Sequence, residues 1–388
     1  MLETLARQHG TPLFVVDLAV VRARCDRLRA LPARVLFAVK ANPHVELLRA
    51  LRGQLDGLDV ASGGELERAL TCGWSGRELS FAGPGKTDEE LARAVRVGAV
   101  VNVESVRELE VLARLGQRAR VRLRVNPATR LAGYRVSFTG QPSPFGIDEE
   151  ELDAALGRLR ALEPLLTFDG LHVHAGMQCT SVSGFLAAAK VGLDLAERTR
   201  APRLNLGGGF GVLPGGEELD VEAAGRKLAA MLDRFRAVTA LPLELLVEPG
   251  RWLVGPAGTY VARVVSEKRS RGTRFVVLDG GIHHHFTASG LVGPRPRLVN
   301  LSRPDAPRVS CTVVGPLCTP LDTLGVDVEL PEPRVGDLLG FELAGAYGPS
   351  FSPLGFLGHA PPKELFLSPG DPAEPGAQGA PPRTPGAS

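Results

Sequence analysis

Eight short apolar runs, each closed by a glycine-rich or polar break and followed by an amphipathic stretch, constrain this chain more than any other feature. They are RVLFAV before Lys40, LDVAS near Ser62, LSFAG near Gly83, AVVNV before Glu104, RVRLRV before Asn126, FDGLHVHAG around His174, RLNLGGG near Gly208 and LELLVEPG before Arg251. Short β-branched runs bounded by turn residues read as strands. The intervening PHVELLRALRG, GELERALTCG, TDEELARAVRVG and SVRELEVLARLG repeat apolar residues at helical spacing. Eight strand–helix units predict a parallel (β/α)8 TIM-like barrel. An open doubly wound sheet shares the local pattern, and the long insertion around Leu131–Pro144 keeps that alternative in play.

After Gly255 the texture changes to TYVARVVSEK, TRFVVLDGG, RVSCTVVG, DLLGFELAGAY and KELFL, with turns between and little helical pattern, which predicts a C-terminal β domain. The expected organisation is an N-terminal strand in residues 1–18 (TPLFVVD) joining that β domain, a barrel over 19–255, the β domain over 256–368, and a disordered Pro/Gly-rich tail over 369–388. A length of 388 residues suits two structural units, and 44% hydrophobic with 23% charged residues suits a globular chain with a large core. The formal net charge is +2 with both signs interspersed, so neither nucleic acid nor a membrane is an expected partner. The five cysteines are scattered with no CxxC pair, which disfavours a disulfide framework or a zinc site and fits a reducing, cytoplasmic location. The opening MLETLARQHGTPLFVV lacks the basic and unbroken apolar regions of a signal peptide.

In a barrel, chemistry sits at the C-terminal strand ends, and these ends carry Lys40, Asp59, Arg124, His174, Gly207–Gly209, Glu248 and Arg251. Lys40 directly follows a buried strand, where desolvation would lower its pKa and free the amine to attack an aldehyde; a solvated strand cap is the alternative. Three glycines in LNLGGGFG could let backbone amides converge on a phosphate, or simply form a tight turn. In EPGR, Glu248 could keep a heterocyclic nitrogen protonated while Arg251 binds a phosphate, unless the two merely pair with each other. The two histidines of HVH share one face of a strand, and one could stack on an aromatic cofactor; a zinc site would need a third ligand that is not apparent. His283–His285 are expected in a solvated turn.

Together FAVKANPH, DVASGGELERAL, FAGPGKTDEEL, VNVES, LRVNP, FGID, GLHVHAG, LNLGGGFG, EPGR, GPLC and GAYG closely resemble, in this order, the fold-type III pyridoxal 5'-phosphate (PLP) decarboxylases of the diaminopimelate, ornithine and arginine decarboxylase family. The resemblance implies an alanine-racemase-like fold, a (β/α)8 barrel plus a β-sandwich or β-barrel domain. It also implies a homodimer with shared active sites and decarboxylation of an amino acid at Cα. It would make Lys40 the Schiff-base lysine, stack His174 on the pyridine ring and pair Glu248 with the ring nitrogen. Gly207, Gly208, Gly209, Arg251 and Tyr347 would surround the phosphate, with Asp59, Glu65 and Arg124 in support. The partner subunit would supply Cys318 as the proton donor, with Thr319 and Asp322 in the substrate pocket.

Departures from the family pattern bear on substrate. Met177 replaces a usual serine, Pro144 a commonly basic residue, and Thr319 the acid that reads a distal amine. LDGGIHHHFTASG lacks the arginine-proline step of diaminopimelate decarboxylases. The chain is more similar to a biosynthetic-cluster subgroup, one type of which decarboxylates a glutamyl group tethered to an acyl-carrier protein. A small free amino acid, a racemase activity and a non-catalytic PLP-binding or partner-binding role are the alternatives.

Overall fold

The structure, a computed structural model, describes residues 1–368; the stretch expected to form a disordered tail lies outside them. Twelve strands precede Gly255: β1 (Leu13–Asp17), β2 (Arg34–Ala38), β3 (Gly57–Val60), β4 (Leu79–Phe81), β5 (Val100–Val103), β6 (Ala119–Asn126), β7 (Val136–Ser137), β8 (Ile147–Asp148), β9 (Leu166–His172), β10 (Gly176–Met177), β11 (Arg203–Asn205) and β12 (Glu244–Val247). Hydrogen bonding runs from β2 through β3, β4, β5, β6, β9, β11 and β12 and back to β2, closing eight parallel strands into a barrel. Closure excludes the open sheet. The insertion adds no ninth stave, because β7 pairs only with β10 and β8 only with the last two residues of β6.

Strand ends are fixed by the helices that follow them. Ser62 caps the helix Gly63–Thr71 by accepting the Glu65 amide, and Thr87 and Glu90 form a reciprocal capping box at Asp88–Val97. Along β6, Val121, Leu123 and Val125 join the apolar cluster with the helices, whereas Arg122 and Arg124 are buried on the opposite face. Arg122 pairs with Asp169 at 2.8 Å and Arg124 with Glu104 at 2.8 Å. The barrel thus carries paired charges inside, which leaves its C-terminal mouth polar.

The remaining strands are β13 (Gly258–Ser270), β14 (Thr273–Leu278), β15 (Leu298–Asn300), β16 (Arg308–Val314), β17 (Thr323–Pro331), β18 (Leu338–Phe341) and β19 (Lys363–Leu367). They form a separate, mostly antiparallel sheet in the order β15-β18-β13-β14-β16-β17, and β1 lies between β13 and β19. Phe14, Tyr260, Leu324 and Phe341 pack in its own apolar core. No helix among the described residues is long and apolar enough to cross a membrane.

One expectation fails here. His283, His284 and His285 are not in a solvated turn; all three are buried. His284 bridges Tyr260 Oη and the carbonyl of Ala360, and His285 packs edge-on against Phe14 and Tyr260. Alternation of faces is a rule for extended strands, and these residues lead into a short 3-10 turn (Phe286–Ser289) that tucks them under the sheet.

Candidate active site

The C-terminal strand ends bring Lys40, Asp59, His174, Glu248 and Arg251 to one place. Lys40 lies in a single 3-10 turn (Val39–Ala41) after β2, and its side chain is open to solvent although Asp59, Tyr347 and Glu248 act on it electrostatically. The acids that act on it, Asp59 and Glu248, are themselves buried. Burial alone would lower its pKa, but Asp59, Tyr347 and Glu248 outweigh that and hold it above the ordinary lysine value. The expected lowering is therefore corrected: in the free protein the amine is an ammonium, because the closed barrel sets Asp59 and Glu248, from the ends of the two neighbouring strands, against it.

Asp59, at the end of β3, is buried with Oδ1 unpartnered, and burial and then Glu248 push its carboxyl well up. Glu248, just past β12, goes the other way: burial opposes its charge, but His172 and Lys40 hold it below the usual carboxylate range. Its Oε1 accepts from Asn205 Nδ2 at 2.5 Å, and its Oε2 lies 3.4 Å from His172 Nε2. Glu248 and Arg251 form no ion pair with each other. Arg251 opens the short helix Arg251–Val254 and places its guanidinium 4.7 Å from the Tyr347 ring centre, where burial lowers its pKa. Among the described residues it has no carboxylate partner, so its charge is available to an anion.

His174 Nδ1 accepts the Gly208 amide at 3.0 Å, and its ring lies against Phe138. Burial, with Lys40 and Arg124 nearby, pushes its pKa far down, so the imidazole is neutral. The three glycines are sterically required. A Cβ on Gly207 would come within 2.5 Å of His174 Nδ1, one on Gly208 within 2.2 Å of the Glu248 carbonyl, and one on Gly209 within 2.0 Å of the Gly176 carbonyl. Their amides do not all face outward, as the sequence suggested. Gly207 donates to Asn205 Oδ1 and Gly208 to His174, leaving the amides of Gly209 and Phe210 with no described acceptor.

Around this centre, Glu65 accepts the Ala61 amide at 2.7 Å, and Arg124 stacks on Phe145 while bonded to Glu104. Glu104 also accepts the Gly83 and Gly146 amides, so it braces two loops that its place in VNVES did not reveal. Asn205 was missed too, although strand alternation sets it beside the glycine turn; His172, read only as the second histidine of HVH, lies 3.4 Å from Glu248 Oε2.

The GPLCTPLD residues stand apart. Cys318 is exposed and bonds to none of the Lys40 group. Thr319 accepts within its own loop from the amides of Leu321 and Asp322. Asp322 is buried and accepts the amides of Ile282 and Leu317, both at 2.8 Å, so its carboxylate anchors the loop and does not face a pocket. A cleft of about 590 Å³ near Arg34, Arg236 and Glu244 opens at the other end of the barrel and holds none of these groups.

The donor set fits PLP. The amine suits an aldehyde, the free guanidinium and two free amides suit a phosphate, the ionised carboxylate suits a pyridine nitrogen and the neutral imidazole suits a ring face. Comparison with known proteins agrees. Residues 18–255 match the family model described as pyridoxal-dependent decarboxylase, pyridoxal binding domain. The chain is similar to the L-glutamyl-(BtrI acyl-carrier protein) decarboxylase of Niallia circulans, at 34% identity over 93% of this chain and 90% of that protein. It is 38% identical to a diaminopimelate decarboxylase of Actinosynnema pretiosum, over 88% and 81% of the two chains. The structure of diaminopimelate decarboxylase from Helicobacter pylori complexed with L-lysine matches with a TM-score of 0.84 at 26% identity, covering 95% of this chain and 94% of that one.

Proposed function

Because this chain belongs to the pyridoxal-dependent decarboxylases, we propose that it removes CO2 from the Cα of an amino acid tethered to an acyl-carrier protein, with Lys40 as the cofactor-binding lysine. The observation that carries the site assignment is the exposed Lys40 acted on by the buried Asp59 and Glu248, with Tyr347 beside it stacked on an Arg251 that has no carboxylate partner among the described residues.

When bound, PLP supplies an electron sink for the pair left on Cα as the Cα–carboxylate bond breaks. The protein binds, orients and moves protons. Lys40 must lose its ammonium proton before its nitrogen can bond to an aldehyde. Arg251 with the Gly209 and Phe210 amides holds the phosphate. Glu248, kept ionised, would hold a proton on the ring nitrogen, and His174 would offer a neutral face to the ring. Glu65 and Arg124 brace the loops around them.

Cys318 then returns a proton to Cα from the second subunit of a homodimer. Its exposure away from its own Lys40 supports this, as do the exposed apolar Leu321, Phe351, Phe356 and Leu357 in the same domain. The tethered substrate is supported by Thr319, which sets no acid beside Cys318 to read a free distal amine, and by the name of the Niallia circulans relative.

Release of CO2 from PLP-loaded protein, compared for free glutamate, lysine and diaminopimelate and for a glutamyl-loaded carrier protein, tests the reading. Release from the carrier-bound substrate alone is expected. Rapid turnover of free diaminopimelate would overturn the tethered substrate, and no release from any would overturn decarboxylation.

A further inference from the structure

Asn205 is fully buried at the end of β11, and both ends of its side-chain amide are committed. Oδ1 accepts the Gly207 amide at 2.9 Å, which fixes the amide's orientation and turns Nδ2 toward Glu248 Oε1 at 2.5 Å. A second tie runs through the backbone, where the Glu248 amide donates to the Gly207 carbonyl at 2.8 Å. With Oε1 occupied by Asn205, Oε2 is left beside His172. A neutral amide here also does what a carboxylate could not: it donates to Glu248 without adding a negative charge to a region that already holds Asp59 and Glu248.

We propose that Asn205 is a positioning residue that couples the glycine turn at the phosphate to the carboxylate at the cofactor's ring nitrogen, setting both the orientation and the ionisation of Glu248. This rests on the assignment of Glu248 to the ring nitrogen. Asn205 touches neither cofactor nor substrate; it acts through Gly207 and Glu248. Asn205→Asp keeps an acceptor for the Gly207 amide but sets a second carboxylate against Glu248, which raises the proton affinity of Glu248. Asn205→Ala removes both bonds.

The test loads wild type, N205D, N205A, E248Q and N205A/E248Q with PLP and reads two quantities: PLP affinity by equilibrium dialysis, and the absorption spectrum of the bound cofactor across pH. N205A is expected to weaken PLP binding about tenfold, in keeping with the loss of two buried hydrogen bonds. N205D is expected to hold PLP more tightly than N205A, yet to move the pH dependence of the spectrum in the same sense as E248Q. The spectrum of the double variant is expected to match E248Q alone, because both substitutions act on one group. A wild-type pH profile in N205D and N205A, with only affinity lost, would overturn the coupling and leave Asn205 as a brace for the turn. Should N205A fold poorly, the nearly isosteric N205D decides the matter. An unchanged spectrum in E248Q would overturn the ring-nitrogen assignment itself, a failure distinct from that of Asn205.

Discussion

The backbone amide of Tyr347 donates to the carbonyl of Ala41 at 2.7 Å, tying the AGAYG turn after β18 to the residue that follows Lys40. Asn42 Nδ2 adds a second tie, to the Gly345 carbonyl at 3.0 Å. Tyr347 adopts a left-handed backbone (φ 55°), so its ring reaches the Arg251 guanidinium while its amide faces the barrel. Two parts of the chain 303 residues apart in sequence are thereby held together beside Lys40 and Arg251.

Loosening that tie is expected to cost both stability and cofactor. Asn42→Ala removes the bond to Gly345 and should lower folding stability by about 1 kcal/mol. The same change should weaken PLP binding several-fold, read by urea titration and equilibrium dialysis on one preparation.

Gly209 combines φ +84° with a Cβ position only 2.0 Å from the Gly176 carbonyl. Gly209→Ala therefore has to shift the turn that carries two free amides, at a cost of about 1–3 kcal/mol. Greatly weakened PLP binding is the expected result, whereas alanine at the exposed Gly215, which has nothing within 4 Å of its Cβ position, should leave binding unchanged.

Burial also predicts a pH response. Desolvation, followed by His284 and His359, lowers His283 to about 4, so the folded chain keeps this ring neutral while the unfolded chain protonates it near an ordinary histidine pKa of about 6.5. Its stabilising contribution is thus complete above about pH 6.5 and is lost as the pH falls toward 4. His283→Gln takes up no proton, so its stability should depend less on pH across that window, by up to about 1.4 kcal/mol per pH unit. Urea midpoints of the two proteins at a series of pH values give the comparison.

The proposed sharing of active sites between two subunits makes a further demand. Lys40→Ala and Cys318→Ala proteins should each be nearly inactive alone. After mixing and subunit exchange, activity should return to about a quarter of the wild-type level, because half the dimers then contain one intact site of two. No recovery, with exchange confirmed by mass, would place Lys40 and Cys318 in the same subunit's site.

What was legible in the sequence follows from what is local. All eight staves could be read because apolar runs and glycine breaks are set within a few residues, and Lys40, Glu248 and Arg251 stood out because strand ends are where a barrel does its chemistry. The charge state of Lys40 was not legible, since it depends on Asp59, Glu248 and Tyr347, which only the closed fold brings near. Nor was the burial of His283–His285, which comes from packing against Phe14, Tyr260 and the segment at Ala360. Asn205 lay between: its place beside the glycines could be read, its bond to Glu248 could not.

The most direct test of the central claim is to load the protein with PLP, reduce it with borohydride, digest it and map the modified peptide by mass spectrometry. The pyridoxyl group should lie on Lys40 alone and be absent from Lys40→Ala. A wild-type protein that carries no label, or carries it on Lys86 or another lysine, would contradict the account.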